Sequence, residues 1–264
     1  MIFSSTEIRN HSALAPFALS ARIVSLVPSL TETLFDLGLG ECVIGITRYC
    51  IHPAALVKNI KRIGGTKDID LDAISQLKPA IIIANKEENL PLPIEELAAK
   101  FPVFLTDISC LADVIIWLED MAILFPNIRA KAIQMGDHLR RSWAALEGIR
   151  HGCCLYLIWR KPYMSIGSDT FIHSVLTHLG YTNVCLHRVR YPCLTLEEII
   201  QLNPECVLLS SEPYPFKIKH IEEIRSVLPA ANVRLTDGEM YSWYGSHILK
   251  AGNYFLSKKD LWEA

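Results

Sequence analysis

Unbroken apolar runs alternate with helix-like segments along most of this chain. The runs that suit strands lie at 23–26, 43–46, 80–84, 103–106, 155–159, 206–210 and 233–236. Runs without polar interruptions are typical of strands that are covered on both faces. Because helical segments separate consecutive runs, the pattern predicts parallel sheets with helices packed on them.

Part of the sequence repeats itself at an offset of 125 residues. Residues 72–87 align without a gap to residues 197–212, and each copy reads as a helix, a Gln-Leu-x-Pro sequence and an apolar strand. Pro79 and Pro204 end the two helices, because proline lacks an N–H and restricts the residue before it. A second pair of helices ends in Leu-Gly at Gly38 and Gly180. We interpret the chain as a duplication, although α/β units resemble one another in any case.

Between the two sets of strands lies a mostly helical region, 112–150, that is interrupted at Pro126. After Asn127, apolar residues recur at three- and four-residue steps over about 22 residues, a helix of about 33 Å. The predicted fold is α/β, with two Rossmann-like lobes that have parallel sheets and are joined by a long rigid backbone helix, so little hinge closure is expected. The expected domains are an N-terminal extension (1–21), an N-terminal lobe (22–111), the connecting region (112–150) and a C-terminal lobe (151–264).

Composition narrows the class of protein. Half of the 264 residues are hydrophobic and 20% are charged, which excludes a disordered chain. The 26 basic residues against 28 acidic ones give a net charge of −2, and no basic tract exceeds a dipeptide, so nucleic-acid binding is disfavoured. No apolar run approaches 18 residues, so we predict a protein that does not span a membrane. We expect a monomer.

The cysteines and the N-terminus bear on the cellular compartment. Eight cysteines occur without a CxxC spacing, which favours free, mostly buried thiols over scattered disulfides or metal ligands. Residues 13–21 have an apolar, small-residue character, but Pro16 interrupts them and no basic region precedes them. They make a poor secretory signal, so the compartment stays open.

Ligands of open parallel sheets bind beyond the carboxyl ends of the strands. After the first strand, Ser29 and Glu32 have the spacing of a capping box, which indicates either a helix start or an anion-binding helix end. A single ring near a strand end is more often part of a core, but a group of rings suits a large, flat, partly apolar molecule. The rings expected at strand ends are Tyr49, Trp159, Tyr163, Tyr191, Tyr241, Trp243 and Tyr244.

Five segments carry a family resemblance: RIVSLVPSLTE (22–32), GITRY (45–49), GGT (64–66), the LKP turn (77–79) and YLIWRKP (156–162). Together they resemble the helical-backbone (class III) periplasmic binding proteins of ABC importers, which capture cobalamin, haem or ferric siderophores. The likeness covers the chain from Arg22 onward and is nearest to the cobalamin-binding members.

The resemblance implies particular ligand contacts. Tyr49, Trp159 and Tyr191 fall where cobalamin binders place aromatic rings, whereas Thr66 and Lys86 fall where those proteins have tryptophans. The two missing rings leave open a different corrinoid or an iron chelate. The predicted ligand-binding set is Tyr49, Thr66, Lys86, Trp159, Arg160, Tyr191, Tyr241, Trp243 and Tyr244.

The resemblance also implies a partner. Family members carry an acidic residue on each lobe that forms a salt bridge to permease arginines, and Asp72 and Glu197 fall at those positions. They are also equivalent residues of the internal repeat, so a symmetric pair could engage a two-fold permease. The alternative is that each is an ordinary acid of a first helical turn.

No sequence pattern indicates catalysis. The nine histidines form no HxH or HExxH spacing, and no GxSxG, Walker A or GxGxxG occurs, so we predict no catalytic residues, no metal site and no intrinsic cofactor. The predicted function is a binding protein that holds a corrinoid, haem or ferric siderophore between two lobes for an ABC importer, in the periplasm by resemblance. One alternative is a cytoplasmic enzyme or cofactor-handling protein on the same scaffold, and another is a scaffold that has lost its ligand.

Overall fold

A computed structural model describes residues 1–10, 16–147 and 150–262 of the chain. These residues form two compact units. Unit 1 comprises Met1–Ile108, Ala112–Arg140 and Trp243–Ile248, and unit 2 comprises Ser109–Leu111, Arg141–Ser242 and Leu249–Ala264. The expected lobes 22–111 and 151–264 lie mostly within one unit each. The expected extension 1–21 contributes a strand to unit 1, and residues 11–15 of it lie outside the described part.

In the described part of the chain, seven strands fall near the predicted apolar runs, and five short ones of two or three residues were not predicted. They are β1 (Ile2–Phe3), β2 (Ile23–Ser25), β3 (Val43–Ile46), β4 (Lys61–Arg62), β5 (Ile81–Asn85), β6 (Val103–Thr106), β7 (Gly152–Leu157), β8 (Tyr163–Met164), β9 (Tyr181–Asn183), β10 (Cys193–Leu194), β11 (Cys206–Ser210) and β12 (Asn232–Thr236).

The helices lie between the strands, as the alternating pattern predicts. They are α1 (Ser5–Arg9), α2 (Pro28–Leu37), α3 (Ala54–Val57), α4 (Leu71–Leu77), α5 (Pro91–Ala98), α6 (Leu111–Leu124), α7 (Arg129–Ala144), α8 (Phe171–His178), α9 (Leu196–Leu202), α10 (Ile218–Val227), α11 (Glu239–Ser242) and α12 (His247–Trp262). Short 3₁₀ turns occur at Gly40–Cys42 and Pro126–Ile128.

The sheet of unit 1 is parallel throughout, with strand order β1-β6-β5-β2-β3-β4. The residues of β5 are buried on both faces, which confirms the interpretation of its unbroken apolar run. The sequence did not reveal β1 and β4, because two-residue strands are too short to show a period.

The main sheet of unit 2 is also parallel, with strand order β12-β11-β7-β9. This order matches β6-β5-β2-β3 of unit 1 when the strands are taken in chain order. A separate antiparallel pair, β8 with β10, has no counterpart in unit 1. The shared order of the four central strands supports the duplication.

The repeat is closest at the junctions from α4 to β5 and from α9 to β11, whose bounds differ by 125 residues at both ends. Asp70 and Thr195 cap the two helices by accepting hydrogen bonds from Ala73 and Glu198 amides. At the other end, Lys78 (φ 45°) and Asn203 (φ 42°) take the left-handed conformation directly before the two prolines. A proline disfavours the α conformation in the residue before it, so both helices end at the same place.

The connecting region is helical and is interrupted where the proline predicts. α6 ends at Leu124, a 3₁₀ turn covers Pro126–Ile128, and α7 continues for 16 residues, about 24 Å. α7 is shorter than the predicted 22 residues because the chain turns after Ala144, and residues 148–149 lie outside the described part. The division between the units falls within this helix, after Arg140.

Glu32 does not form the predicted capping box. α2 begins at Pro28 with Val27 as its N-cap, and no side chain caps it, so Ser29 and Glu32 lie inside the helix. Proline is favoured at the first helical position, which fixes the helix start at Pro28, two residues earlier than the pattern suggested. The Glu32 carboxylate instead lies 2.7 Å from Nδ1 of buried His247, in the Trp243–Ile248 segment of unit 1.

Within the described residues, no helix combines the length and the apolar character needed to cross a bilayer.

The left-handed cap at Lys78 yields a stability prediction. Lys78→Gly should stabilise the protein by about 0.5–1 kcal/mol, because glycine adopts a positive φ without steric cost. Asn203→Gly should gain less, since asparagine tolerates this conformation. Gln76→Gly, an exposed change inside α4, should destabilise by about 1 kcal/mol. Urea unfolding of the three variants checks the order, and a destabilised Lys78→Gly variant would contradict the assigned cap.

Candidate functional site

The carboxyl ends of the unit 1 strands carry one large exposed ring. Tyr49, just after β3, is 52% exposed, although aromatic side chains are usually covered. Its ring lies against Gly65, where an added Cβ would be 3.1 Å from Cε2 of Tyr49. The Arg48 guanidinium lies 5.8 Å from the ring centre and pairs with Asp68. The ring is therefore supported from one side and open to solvent on another.

A buried asparagine joins three of the loops at this edge. The Asn89 side-chain oxygen accepts from the Asn85 amide (2.9 Å), and its NH₂ group donates to the carbonyls of Thr66 (3.0 Å) and Leu26 (3.4 Å). Asn85 in turn donates to Thr106 Oγ1 at the end of β6 (3.1 Å). Buried amides that satisfy backbone groups in this way order the loops around them.

The two positions that replace tryptophans differ in exposure. Thr66 is buried, and its carbonyl accepts the bond from Asn89. Lys86 is exposed, and its ammonium lies 2.7 Å from Asp107. Tyr49, Thr66 and Lys86 follow strands at the same edge of the unit 1 sheet, but only Tyr49 and Lys86 present side-chain surface.

The corresponding edge of unit 2 carries Trp159, which is 40% exposed. Its ring meets the Tyr214 ring edge-on, with centroids 5.7 Å apart. The next residue, Arg160, directs its guanidinium to Glu223 of α10, with Nη2 2.8 Å from Oε2 and Nε 3.0 Å from Oε1. Arg160 was predicted as a ligand contact, and the structure shows it in this bidentate ion pair.

Tyr191 is half-buried and lies after a left-handed residue, Arg190 (φ 56°), whose guanidinium is 5.7 Å from the Tyr191 ring centre. The backbone of this loop pairs with residues after β7: the Ser165 amide donates to the Pro192 carbonyl, and Gly167 donates to Arg190. Tyr191 therefore keeps part of its ring accessible on unit 2.

The last three predicted rings are buried, and their packing is internal. Tyr241 contacts Tyr156 and Phe255 in unit 2, at 5.1 and 4.9 Å between ring centres. Trp243 contacts His52 and His247 in unit 1. Tyr244 is buried as well, and burial raises the pKa of its hydroxyl well above the ordinary value. The sequence places all three near a strand end but does not distinguish rings that pack inward from rings that face solvent.

Asp72 and Glu197 are exposed and occupy equivalent positions in the first turns of α4 and α9. The pKa of Glu197 is lowered by its own backbone amide and by the Thr195 hydroxyl. Both carboxylates thus suit a first-turn acid and remain accessible to a partner.

Charge is largely compensated at the strand ends. Arg48 pairs with Asp68, Lys86 with Asp107 and Arg160 with Glu223, so each of these three cations has an acidic neighbour. No group of three or more His, Cys, Asp or Glu residues within the described ranges could hold a metal ion. The two edges offer rings, hydroxyls and amides that can contact a ligand. All eight cysteines are free and five are buried, in agreement with the prediction.

Sequence reasoning missed Asn89, Tyr214 and Glu223. The Asn-x-x-x-Asn spacing after an apolar strand was a usable signal for Asn89, because an asparagine there can bond the loop backbone. Glu223 lies 63 residues from Arg160, so no local pattern could connect the two.

Comparisons with known proteins give consistent results. No family model matches the chain. The vitamin B12-binding protein of Pectobacterium carotovorum subsp. carotovorum (strain PC1) is 23% identical over 251 residues, 92% of this chain and 90% of that protein. The vitamin B12-binding protein of Yersinia pestis (strain Pestoides F) is 25% identical over 203 residues, 74% and 71% of the two chains.

Solved structures share the fold. The periplasmic vitamin B12 binding protein BtuF of Vibrio cholerae has a TM-score of 0.76 at 20% identity, covering 92% of this chain and 98% of that one. The periplasmic heme-binding protein BhuT in complex with two hemes has a TM-score of 0.77 at 18% identity, with 92% and 99% covered. S. aureus IsdE complexed with heme has a TM-score of 0.75 at 19% identity, with 90% and 98% covered.

These likenesses confirm the resemblance to class III substrate-binding proteins that the sequence motifs indicated, and the solved structures confirm the fold class. The relatives and neighbours are named as binding proteins, in agreement with the prediction that this chain is not an enzyme.

The bonds of Asn89 predict a stability cost. Asn89→Ala should destabilise the protein by about 2–4 kcal/mol, because it leaves the Asn85 amide and the Thr66 carbonyl buried without partners. Asn253→Ala, an exposed change on α12, should stay within about 0.5 kcal/mol of the parent. Thermal and urea unfolding measure both, and equal stability of the two variants would contradict the assigned network.

Proposed function

We propose that this chain is the substrate-binding component of an ABC importer and that it binds a corrinoid or an iron-chelate complex. The observation that carries the proposal is that each unit leaves a large aromatic ring exposed at the carboxyl end of its parallel sheet, Tyr49 in unit 1 and Trp159 in unit 2. Ligands of such sheets bind at this edge. Exposed rings there favour a flat, partly apolar ligand.

The names of the similar proteins support the same class of ligand. They include vitamin B12-binding and heme-binding proteins, all of which bind a metal held in a large organic ring. We propose that Tyr49, Lys86, Trp159 and Tyr191 contribute side-chain surface to the ligand. Thr66 contributes through the loop that Asn89 orders, and Arg160, Tyr241, Trp243 and Tyr244 serve in packing or in ion pairs.

The compensated charges favour a corrinoid within this class. Haem carries two carboxylates that must find cations, whereas the side chains of a corrinoid ring are mostly neutral amides. Because Arg48, Lys86 and Arg160 already have acidic partners, a dianionic ligand would have to compete with them. We therefore propose cobalamin-like ligands as the first to test and haem as the second.

The proposed partner is a permease, and the proposed compartment is the periplasm. The solved structures of similar proteins are described as periplasmic. Exposed Asp72 and Glu197, in equivalent turns of the two units, provide acidic groups for permease arginines.

A second candidate is a cytoplasmic cofactor-handling protein or enzyme on the same scaffold. The observation in its favour is the set of eight free cysteines, because exported proteins meet an oxidising compartment. Cell fractionation separates the two candidates, since a processed periplasmic product contradicts the second.

Trp159 provides the direct test of ligand binding. Trp159→Ala should weaken binding of cyanocobalamin, or of haemin if haemin binds more tightly, by about 10- to 100-fold, because the ligand loses apolar contact with the ring. Ile133→Ala, an equally exposed apolar change on α7, should leave the affinity unchanged. Absorbance and calorimetric titrations give the affinities. Failure of cyanocobalamin, haemin and a ferric siderophore to bind the parent would refute the ligand class.

The docking proposal predicts that permease binding can be lost while ligand binding is kept. The double variant Asp72→Ala, Glu197→Ala should bind ligand like the parent but lose most of its affinity for the permease, because two ion pairs are removed. A matched control is the double variant Glu96→Ala, Glu222→Ala, which removes one exposed helical acid from each unit. Pull-down with the permease reconstituted in nanodiscs measures the loss. If the permease retains both double variants equally, the docking role is contradicted.

A further inference from the structure

The Glu223 carboxylate accepts hydrogen bonds from three donor groups in the segment that follows β7. Its carboxylate accepts from Nε and Nη2 of Arg160, at 3.0 and 2.8 Å, and from the Tyr163 hydroxyl. Bidentate bonds between a guanidinium and a carboxylate are among the stronger hydrogen bonds of proteins, and their planar geometry fixes orientation as well as distance. Glu223 thus holds the loop at two residues, one on each side of Pro162.

The loop that it holds carries the exposed ring. The Met164 amide donates to the Trp159 carbonyl (3.1 Å), and the Ile158 amide donates to the Met164 carbonyl (2.9 Å), so residues 158–164 close into a short hairpin. Trp159 lies at one end of this hairpin, and its ring packs against the Tyr214 ring with 67° between the two planes. The Tyr214 amide donates to the Ile158 carbonyl (3.3 Å), so the hairpin places both Trp159 and this neighbour.

Glu223 is not needed to hold its own helix. α10 packs on the sheet of unit 2 through Ile224 and Leu228, which lie in the main apolar cluster of that unit. Those contacts anchor α10 without the carboxylate. The hydrogen bonds of Glu223 therefore restrain the surface loop, because α10 is already fixed by its apolar contacts.

We infer that Glu223 is a positioning residue for ligand binding: it fixes Trp159 through Arg160 and Tyr163 without touching the ligand. This inference rests on the proposed function. A ring that is ordered before binding loses less freedom when the ligand arrives. The hydrogen bonds of Glu223 therefore increase the affinity for the ligand by pre-organisation. It also assigns Arg160 a role in holding the loop rather than in meeting an anionic group of the ligand.

The protonation states agree with this role at neutral pH. Burial opposes ionisation of Glu223, but hydrogen bonds from Arg160 and Tyr163 outweigh it and lower the pKa of the carboxyl. Burial, together with Glu223, raises the pKa of Tyr163 to about 12, so its hydroxyl keeps the proton that it donates. Because the pKa of Glu223 is lowered, its carboxylate stays ionised in mild acid, and its bonds to Arg160 and Tyr163 persist there.

The first test needs no ligand. Iodide quenching of tryptophan fluorescence is measured for the parent and for Trp159→Ala. The difference between the two gives the quenching of Trp159 alone. Glu223→Gln should raise the quenching constant of Trp159, because the freed hairpin exposes more of the ring, whereas Glu222→Gln on the same helix should not. Glu222 is exposed and gives a matched change of charge. Unchanged quenching in a folded Glu223→Gln protein overturns the inference.

The second test measures affinity for cyanocobalamin and haemin by titration. Glu223→Gln should weaken binding of the preferred probe by about tenfold, with a melting temperature close to that of Glu222→Gln. In the Trp159→Ala background, Glu223→Gln should cause no further loss, since a residue that acts through Trp159 has nothing left to position. Additive losses overturn the inference and indicate a direct contact.

The outcomes separate this inference from the function on which it rests. If Trp159→Ala binds both probes like the parent, the proposed ligand surface is wrong, and the positioning role falls with it. If Trp159→Ala weakens binding but Glu223→Gln does not, the proposed function stands and Glu223 is only a structural residue. Arg160→Gln should match Glu223→Gln, and a much larger loss would mean that Arg160 meets the ligand.

Discussion

The pairing of parallel strands buried on both faces is the constraint on which this structure depends. Parallel strands require a crossover after each strand, so their carboxyl ends all reach one edge, and the chain must turn there repeatedly. Both units obey this rule with the same central strand order. The turns at that edge lie outside the apolar layers and are free to carry rings and polar groups, which is why a binding surface arises there in each unit.

Loops that leave a sheet need their own restraints, and beside the exposed ring of each unit these restraints are polar bonds. Unit 1 uses a buried amide, Asn89, which bonds to backbone groups of three segments. Unit 2 uses an ion pair from the surface of α10, where Glu223 accepts from Arg160. In both cases polar bonds fix the backbone while an adjacent ring, Tyr49 or Trp159, keeps access to solvent. The likeness between the units is closest in their central strand order and in the junctions from α4 to β5 and from α9 to β11.

Much of the fold could be predicted from the sequence because apolar runs and prolines act locally. The strands at Val43–Ile46, Val103–Thr106 and Cys206–Ser210 have the predicted bounds, and the helix ends before Pro79 and Pro204 follow from one residue each. The candidate site was less accessible to this reasoning. Whether Tyr241 faces inward or outward depends on Tyr156, which lies 85 residues earlier, and on Phe255 in the following helix. Side-chain partners such as Glu223 are set by tertiary packing alone.

The return of Trp243–Ile248 to unit 1 has a consequence for how the protein is made. Glu32 lies on a helix near the start of the chain, yet its buried partner His247 follows 215 residues later. A ribosome therefore adds a further 215 residues before this carboxylate can meet the imidazole. During synthesis unit 1 holds an acidic group whose eventual counterpart has yet to emerge. Although domains usually mature in the order of translation, the first unit here is completed only after Arg141–Ser242 of the second has been synthesised.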